Sequence, residues 1–186
     1  MGAGKSRILS ILKEDYLAEI ILADEVAKEL EEPGQEGYRL LVKTFGDRIL
    51  DAQGSIDRNR LASLIFQDED ALRRVNSIIH PLTWAEIKRR AEASKAPLVA
   101  VESALFDEHS RELCETLWFI DTSEENRIER LMLNRGYSRR KCLDIMANQK
   151  DRAFFLELCD VVIDNNGCME NIRSQIAEVL GTSETE

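Results

Sequence analysis

The chain begins Met1-Gly2-Ala3-Gly4-Lys5-Ser6 and continues into a short apolar helical pattern. Its Gly-Lys-Ser sequence fills the last three positions of the pattern GxxxxGK[ST], a loop between a strand and a helix that holds phosphate groups. Glycines let the backbone wrap a phosphate closely, and the N–H groups at the start of the helix attract the anion. The pattern predicts an α/β protein that binds a nucleotide through this loop.

Individual residues of the loop have distinct predicted roles. Lys5 reaches the β- and γ-phosphates, and the Ser6 hydroxyl binds a Mg²⁺ ion. Arg7 contributes mainly its backbone N–H group. A simple turn that caps a helix is the alternative interpretation. The candidate nucleotide-binding residues are Gly2, Ala3, Gly4, Lys5, Ser6 and Arg7.

The first glycine of the pattern, and the strand that feeds the loop, would precede Met1. That strand lies centrally in the parallel sheet of kinases with this loop. Its absence would remove about five buried apolar side chains at roughly 1.5–3 kcal/mol each, which rivals the ~5–15 kcal/mol stability of a whole domain. We therefore expect the sequence to start late, at an internal methionine, and a chain that truly begins there to be unstable and to bind ATP weakly.

The composition excludes several classes of protein. With 186 residues, 44% of them hydrophobic, the chain fits a single domain, residues 1–186, with a packed core. Its net charge of −10 argues against a nucleic-acid binder. No apolar run approaches the ~20 residues of a membrane span, and no signal segment is visible. Four cysteines without a CxxC pair argue against zinc or disulfides. We expect a cytoplasmic monomer or weak homo-oligomer.

Short apolar runs predict the strands of a parallel sheet. They are almost continuously apolar, which is typical of strands buried on both faces with helices on either side. The predicted strands are Glu19–Ala23, Pro97–Glu102, Thr116–Asp121 and Asp160–Asp164.

Longer patterns with a 3.6-residue period predict helices between these strands. Asp57, Asp68 and Ser138 are predicted N-caps, and Thr122 opens a capping box that ends at Glu125. The last helix is predicted at 169–180, and the tail 181–186 is expected to be unstructured. The helical stretch at about 34–93 fits an insert between two strands.

Several further motifs follow in order along the chain. They are Ile21–Ala27, Phe45-Gly46 with Ile56-Asp57-Arg58, Ile78-Ile79-His80-Pro81, Glu102–Asp107, the series Arg127, Arg130, Arg135 and Gln149, and Asp160–Gly167. With these motifs and the phosphate loop, the chain resembles the dephospho-CoA kinase family over essentially its whole length.

The resemblance implies ATP-dependent phosphorylation of the ribose 3′-hydroxyl of dephospho-CoA, the final step of coenzyme A biosynthesis, which gives CoA and ADP. It implies ATP and Mg²⁺ as cofactors and the fold of P-loop nucleoside-monophosphate-type kinases. That fold has a parallel sheet with helices on both faces, here with the N-terminal strand absent, a helical acceptor-binding insert at about 34–93 and a lid at about 127–149. The alternatives are another small-molecule or nucleotide kinase, and a non-catalytic nucleotide-binding relative.

Asp24 is the main candidate for the catalytic carboxylate. It follows an apolar strand, and α/β sheets bind ligands at the carboxyl ends of their strands. It could accept the proton of the 3′-hydroxyl or orient that hydroxyl for in-line attack. By the resemblance, Asp24 matches the second aspartate of the family's motif, and Leu22 stands in place of the first. The alternative is an aspartate that caps a helix starting at Glu25.

Three further residues are candidates for binding the acceptor. Arg58 is a suitable bidentate partner for an acceptor that carries phosphates, or else a surface arginine. His80 is a possible acceptor contact, although a His-Pro step often ends a helix. Glu102 ends a predicted strand and could bind the acceptor or a Mg²⁺-bound water; the alternative is a solvated carboxylate.

The segment 127–141 carries six basic residues and one acidic residue in a chain of net charge −10. A solvated helix face is one explanation. We favour a lid whose Arg130 and Arg135 place positive charge on the transferring phosphoryl group and exclude water. After the last strand, Asn165 could bind the edge of the adenine ring, or belong to an ordinary turn.

Overall fold

The structure, a computed structural model, describes residues 1–103 and 108–181. The helices are α1 (Lys5–Asp15), α2 (Ala23–Leu30), α3 (Glu36–Phe45), α4 (Arg58–Gln67), α5 (Glu69–Ala93), α6 (Glu108–Leu113), α7 (Glu124–Arg135), α8 (Arg139–Ala147), α9 (Arg152–Leu158) and α10 (Met169–Val179). The strands are β1 (Glu19–Leu22), β2 (Val99–Glu102), β3 (Trp118–Asp121) and β4 (Val161–Asp164). None of the helices in this part of the chain combines the length and apolar character of a membrane span.

The chain divides into two compact units. The first combines Met1–Leu17 with Arg111–Glu186, and the second is Ala18–Ser110. In the first unit β3 and β4 form a parallel pair, and in the second unit β1 and β2 form another. All four predicted strands are present, and the helices predicted at about 34–93 lie between β1 and β2.

The strands are less buried than the sequence predicts. Among their side chains only Ile21 and Ile163 are buried, and Val162 is 42% exposed. Each strand has a single hydrogen-bonded neighbour among the described residues. A two-stranded sheet consists only of edge strands, so a continuously apolar sequence does not imply burial on both faces here.

A cluster of apolar side chains forms the core of the second unit. Its buried members are Leu41, Phe45, Ile49, Leu61, Ala71, Val75 and Ile79, which come from α3, the 3-10 turn Gly46–Ile49, α4 and α5. These residues recur at helical spacing, so each helix turns one apolar face to the others. The helical part of the chain at about 34–93 therefore has a core of its own.

Helix α5 continues through Pro81, so the expectation that the His80-Pro81 step ends a helix is wrong. A proline inside a helix costs about 3 kcal/mol, because one backbone hydrogen bond is lost and the ring crowds the preceding turn. The buried side chains of Ile79, Trp84 and Ile87 lie on both sides of this step. Each contributes roughly 1.5–3 kcal/mol on burial, and together they outweigh the cost of the proline.

The predicted N-caps Asp57, Asp68 and Ser138 are confirmed, since each side chain accepts a hydrogen bond from the first turn of its helix. The predicted capping box at Thr122 is wrong. Ser123 caps α7 instead, and its hydroxyl accepts from the backbone N–H of Asn126 at 3.3 Å. The sequence contains two adjacent hydroxyl side chains, and the choice between them depends on a tertiary contact of the first.

A cluster of charged side chains joins α5 to α2. Arg89 donates two hydrogen bonds to Glu86 at 2.7 Å, Arg90 donates another at 2.8 Å, and Arg90 also pairs with Glu29 of α2. The hydrogen bonds from Arg89 and Arg90 lower the pKa of Glu86 to about 2. The ionised form of Glu86 is therefore more stable in the folded state than in the unfolded state.

We predict that Glu86→Gln lowers the free energy of unfolding at pH 7, and that its difference from wild type shrinks as the pH falls. A carboxyl group whose pKa is lowered by folding stabilises the protein above its ordinary pKa of 4.5. That contribution is lost between about pH 4.5 and pH 2 as the folded state takes up the proton. Urea unfolding of both proteins across this range measures the difference.

The matched control is Glu92→Gln, because Glu92 lies on the same helix, is exposed, and is 4.0 Å from Lys88. We expect this variant to differ little from wild type at any pH. A Glu86→Gln difference that stays constant between pH 7 and pH 2 contradicts the prediction.

Candidate active site

The N-terminal loop has the backbone geometry that its glycines permit. Gly2 and Gly4 have φ angles of 80° and 81°, in the left-handed region where a Cβ atom is unfavourable. Helix α1 begins at Lys5, directly after Gly4, and its first turn contains Ser6, which is exposed. The loop therefore turns sharply into a helix N-terminus, where the backbone N–H groups and the helix dipole favour an anion.

The carbonyl oxygen of Ala3 accepts hydrogen bonds from three side chains. The donors are Asn165 Nδ2 at 2.6 Å, Thr122 Oγ1 at 2.9 Å and Arg130 Nη1 at 3.3 Å. All of these residues belong to the first unit. Of the predicted site residues, the structure thus brings together Ala3, Gly4, Arg130 and Asn165, and it adds Thr122.

Arg130 lies beside the loop, and its guanidinium bonds to two backbone carbonyls. Besides the Ala3 oxygen, it donates from Nη2 to the Asn165 oxygen at 2.7 Å. Burial lowers the pKa of Arg130, and the nearby positive charge of Arg7 lowers it further. Arg135 lies in the last turn of the same helix and is exposed. The two predicted lid arginines are thus separated: one is at the loop and the other faces solvent.

Asn165 is fully buried, and both polar ends of its side chain are bonded within the protein. Its Nδ2 donates to Ala3, and its Oδ1 accepts from Arg7 Nη1 at 3.4 Å. Its backbone N–H donates to the Asp121 carbonyl at 2.8 Å, which extends the pairing of β3 with β4. The side-chain amide is thus bonded to the loop and to α1, and the contact of Asn165 with adenine stays a prediction.

Arg7 also differs from its predicted role. Its backbone N–H donates to the Gly4 carbonyl at 3.0 Å, so this N–H is engaged in the first turn of α1. Its guanidinium instead contacts Asn165 and the sulfur of Met169, the first residue of α10. The side chain of Arg7 therefore links α1 to the segment that follows β4.

Sequence reasoning missed two residues that contact the loop. One is Thr122, and the other is Arg127, whose Nε donates to the Met1 carbonyl at 3.1 Å and whose Nη2 bonds to Gln149. Burial lowers the pKa of Arg127. The excess of positive charge at 127–141 was the available signal for Arg127, whereas a single threonine carries no signal of its own.

The second unit holds the predicted acceptor residues. Asp24 is exposed in the first turn of α2, which begins at Ala23, so the alternative of a cap on a helix starting at Glu25 is wrong. Leu22 at the end of β1 is paired with the half-buried Glu102 at the end of β2. Asp24 and Glu102 thus lie at the same edge of this sheet. The motif that starts at Glu102 continues through 104–107, which lie outside the described residues.

Arg58 and His80 lie on helices of the same unit. Arg58 is the first residue of α4 and is exposed. It is near Glu31 at the C-terminal end of α2, where burial raises the pKa of Glu31 and the charge of Arg58 lowers it. Asp24 and Glu31 lie at opposite ends of α2, about 10 Å apart along the helix axis. His80 is half-buried in the middle of α5.

Comparisons with known proteins show which family this chain belongs to. A family model described as dephospho-CoA kinase matches residues 1–171 of the chain. The chain belongs to the dephospho-CoA kinase family. A dephospho-CoA kinase of Carboxydothermus hydrogenoformans is 34% identical over 184 residues, which cover 97% of this chain and 89% of the relative. Another, of Corynebacterium efficiens, is 35% identical over 189 residues, which cover 97% of this chain and 94% of the relative.

Solved structures agree in fold with the dephospho-CoA kinase family. A crystal structure of a Thermus thermophilus protein has a TM-score of 0.79 at 23% identity, and the match covers 99% of this chain and 94% of the other. Dephospho-CoA kinase from Campylobacter jejuni has a TM-score of 0.67 at 20% identity, and the match covers 97% of this chain and 92% of the other. The α/β P-loop fold, the family and the kinase function that the sequence resemblance implies are confirmed.

We predict that Gly4→Ala weakens binding of ATP at least tenfold, because the new methyl group displaces the side chains that hold this dephospho-CoA kinase loop. A Cβ atom at Gly4 would lie 2.3 Å from Asn165 Nδ2 and 2.9 Å from Arg130 Nη1. Both distances are too short for non-bonded atoms. Calorimetric titration with ATP measures the loss of affinity.

Gly54→Ala is the matched control. Gly54 has the same φ of +81°, but a Cβ there meets nothing within 4 Å. Both variants lose about 1–2 kcal/mol of stability to the left-handed backbone, and only Gly4→Ala is expected to lose ATP affinity. Equal ATP affinities for the two variants contradict the prediction.

Proposed function

We propose that this chain transfers the γ-phosphoryl group of ATP to the 3′-hydroxyl of the ribose of dephospho-CoA, with CoA and ADP as products. The observation that carries the proposal is the loop 2–6. It has left-handed glycines, a helix N-terminus directly behind it, and the Arg130 guanidinium at its Ala3 carbonyl. Family membership identifies the acceptor.

The first unit supplies the ATP site. Backbone N–H groups of the loop and of the first turn of α1 bind the phosphates, and the Lys5 ammonium group bonds to the β- and γ-phosphates. Arg130 adds positive charge beside Gly4, where its Nη1 lies 2.9 Å from the position that a Cβ would occupy. Such fixed donors and charges stabilise the negative charge of the transferring group without reorganisation.

Mg²⁺ fits this site through Ser6. Its side chain is exposed in the first turn of α1, and Mg²⁺ in kinase sites takes most of its ligands from phosphate oxygens and water. One protein hydroxyl is therefore a sufficient anchor. When bound, the ion would neutralise part of the charge on the β- and γ-phosphates.

The second unit supplies the acceptor site. Asp24 accepts the proton of the 3′-hydroxyl or aligns this hydroxyl for in-line attack, and its exposed position at the end of β1 leaves it accessible to a substrate. Glu102, at the same sheet edge, binds the acceptor near that hydroxyl. Arg58 lies near Glu31, at the opposite end of α2 from Asp24, and its guanidinium suits a phosphate group elsewhere on the acceptor. His80 either contacts the acceptor as well or is a structural residue of α5.

The segment 127–149 has two proposed functions. Its N-terminal part holds the loop through Arg127 and Arg130, whose guanidinium groups bond to the carbonyls of Met1 and Ala3. Its remaining part, which includes the exposed Arg135, is the lid that brings a further positive charge to the phosphates and excludes water.

We propose that this lid and the insert at about 34–93 belong to a single kinase domain, which acts in the cytoplasm as a monomer or weak homo-oligomer.

An ADP-release assay with a panel of acceptors tests the function. We expect Mg²⁺- and ATP-dependent turnover with dephospho-CoA, and at most weak turnover with AMP, CMP or shikimate. A preference for one of the other acceptors would make the chain a different small-molecule kinase. Calorimetric binding of ATP and dephospho-CoA without any turnover would make it a non-catalytic nucleotide-binding relative.

We predict that Asp24→Asn lowers kcat by 100-fold or more, since positioned acid–base groups contribute about 10²–10⁴-fold. ATP affinity should stay within about twofold of wild type, because Asp24 lies outside the loop. Steady-state kinetics with dephospho-CoA and calorimetry with ATP measure the two quantities.

Glu25→Gln is the control for Asp24→Asn. Glu25 is the next residue in the same first turn of α2, is also exposed, and pairs with Lys28 at 2.5 Å. We expect it to retain kcat within about twofold. A kcat for Asp24→Asn that is near wild type, or no lower than that of Glu25→Gln, removes Asp24 from the mechanism.

A further inference from the structure

Thr122 bonds to the phosphate loop, although the sequence pattern predicts only a capping box for it. It directly follows β3, is 7% exposed, and its hydroxyl donates to the Ala3 carbonyl at 2.9 Å. A buried hydroxyl group without a partner would be costly, so this bond accounts for the presence of a polar side chain there. Its partner is a backbone atom 119 residues away in the sequence.

Thr122 and Asn165 occupy equivalent places on adjacent strands. Asp121 of β3 is paired with Asp164 of β4, and the Asn165 N–H donates to the Asp121 carbonyl at 2.8 Å. The next residue of each strand end, Thr122 and Asn165, donates a side-chain hydrogen bond to the same Ala3 oxygen. Parallel strands thus place two neutral donors side by side at the carboxyl edge of this sheet.

The segment around Thr122 is held by further hydrogen bonds. The Asn166 Oδ1 atom accepts from the Ser123 N–H at 2.8 Å and from Asn126 Nδ2 at 2.9 Å. Ser123 caps α7, which leaves the hydroxyl of Thr122 for the loop. As a β-branched residue, Thr122 also has a restricted χ1 angle. Its hydroxyl is therefore held in place before any ligand binds.

These donors fix the orientation of one peptide group. The peptide between Ala3 and Gly4 is trans, so its N–H points away from its carbonyl oxygen. While Thr122 and Asn165 hold the oxygen, the Gly4 N–H is turned to the opposite side. A rotated peptide would instead turn a carbonyl oxygen, with its partial negative charge, toward the ligand side of the loop.

We propose that Thr122 is a positioning residue for nucleotide binding: its hydroxyl holds the Ala3 carbonyl, so that the Gly4 N–H is oriented to bind a phosphate group of ATP. This inference rests on the proposed ATP-binding function of the loop. Thr122 itself touches no substrate. It acts through the backbone, and its effect falls on the ATP phosphates and not on the acceptor.

Removal of the hydroxyl tests this role. Thr122→Val keeps the shape of the side chain and deletes the donor, whereas Thr122→Ser keeps the donor. We expect Thr122→Val to raise the Kd and KM for ATP about tenfold, with the KM for dephospho-CoA within twofold of wild type. Thr122→Ser should restore most of the ATP affinity. Inorganic pyrophosphate, used as a probe without adenosine, should lose affinity in parallel with ATP.

Thr44→Val is the matched control, since the Thr44 hydroxyl donates to the Leu40 carbonyl within α3 at 2.8 Å and is exposed. It should leave ATP binding unchanged. If Thr122→Val does not fold, as judged by its thermal melting curve, Thr122→Ala takes its place with the same expected loss. Its smaller side chain cannot collide with its neighbours.

Several results would overturn the inference. These are an ATP affinity of Thr122→Val equal to wild type, a Thr122→Ser variant as weak as Thr122→Val, or an equal rise in KM for both substrates. If wild type binds ATP but does not phosphorylate dephospho-CoA, the proposed function fails, and a selective loss of ATP affinity in Thr122→Val still supports the role of Thr122. If wild type binds no ATP, both proposals fail.

Discussion

The conformation of the N-terminal loop depends on the hydrogen bonds to the carbonyl oxygen of Ala3. A loop rich in glycine has little conformational preference of its own, so its shape must come from its surroundings. Here an amide, a hydroxyl and a guanidinium group converge on one backbone oxygen. Each of these donors is placed by regular structure, at the ends of β3 and β4 and in the middle of α7. The rigid elements thereby impose a conformation on a segment that would otherwise be mobile.

The charge distribution follows from the same arrangement. The chain carries ten more acidic than basic residues, yet the neighbourhood of the loop collects the guanidinium groups of Arg7, Arg127 and Arg130. The pKa values of Arg127 and Arg130 are lowered by burial, because burial disfavours the charged form of a side chain. In the proposed function, the phosphate groups of ATP bind beside these guanidinium groups.

Local signals in the sequence predicted much of this structure. Apolar runs located all four strands, and Asp57, Asp68 and Ser138 correctly marked helix starts. Properties that depend on distant partners were not predictable. The neighbouring hydroxyls of Thr122 and Ser123 look alike in sequence, and only the loop, more than a hundred residues away, distinguishes them. Strand exposure and the unbroken helix around Pro81 likewise depend on neighbours in space.

The separation along the chain between the loop and its supports has a consequence for biosynthesis. Residues 1–4 are translated well before their partners at 122, 130 and 165. A contact between distant residues forms only after both have been synthesised, and it requires the entropic cost of closing the chain between them. The hydrogen bonds that hold the Ala3 carbonyl are therefore complete only after residue 165 has been synthesised, although the loop itself is made much earlier.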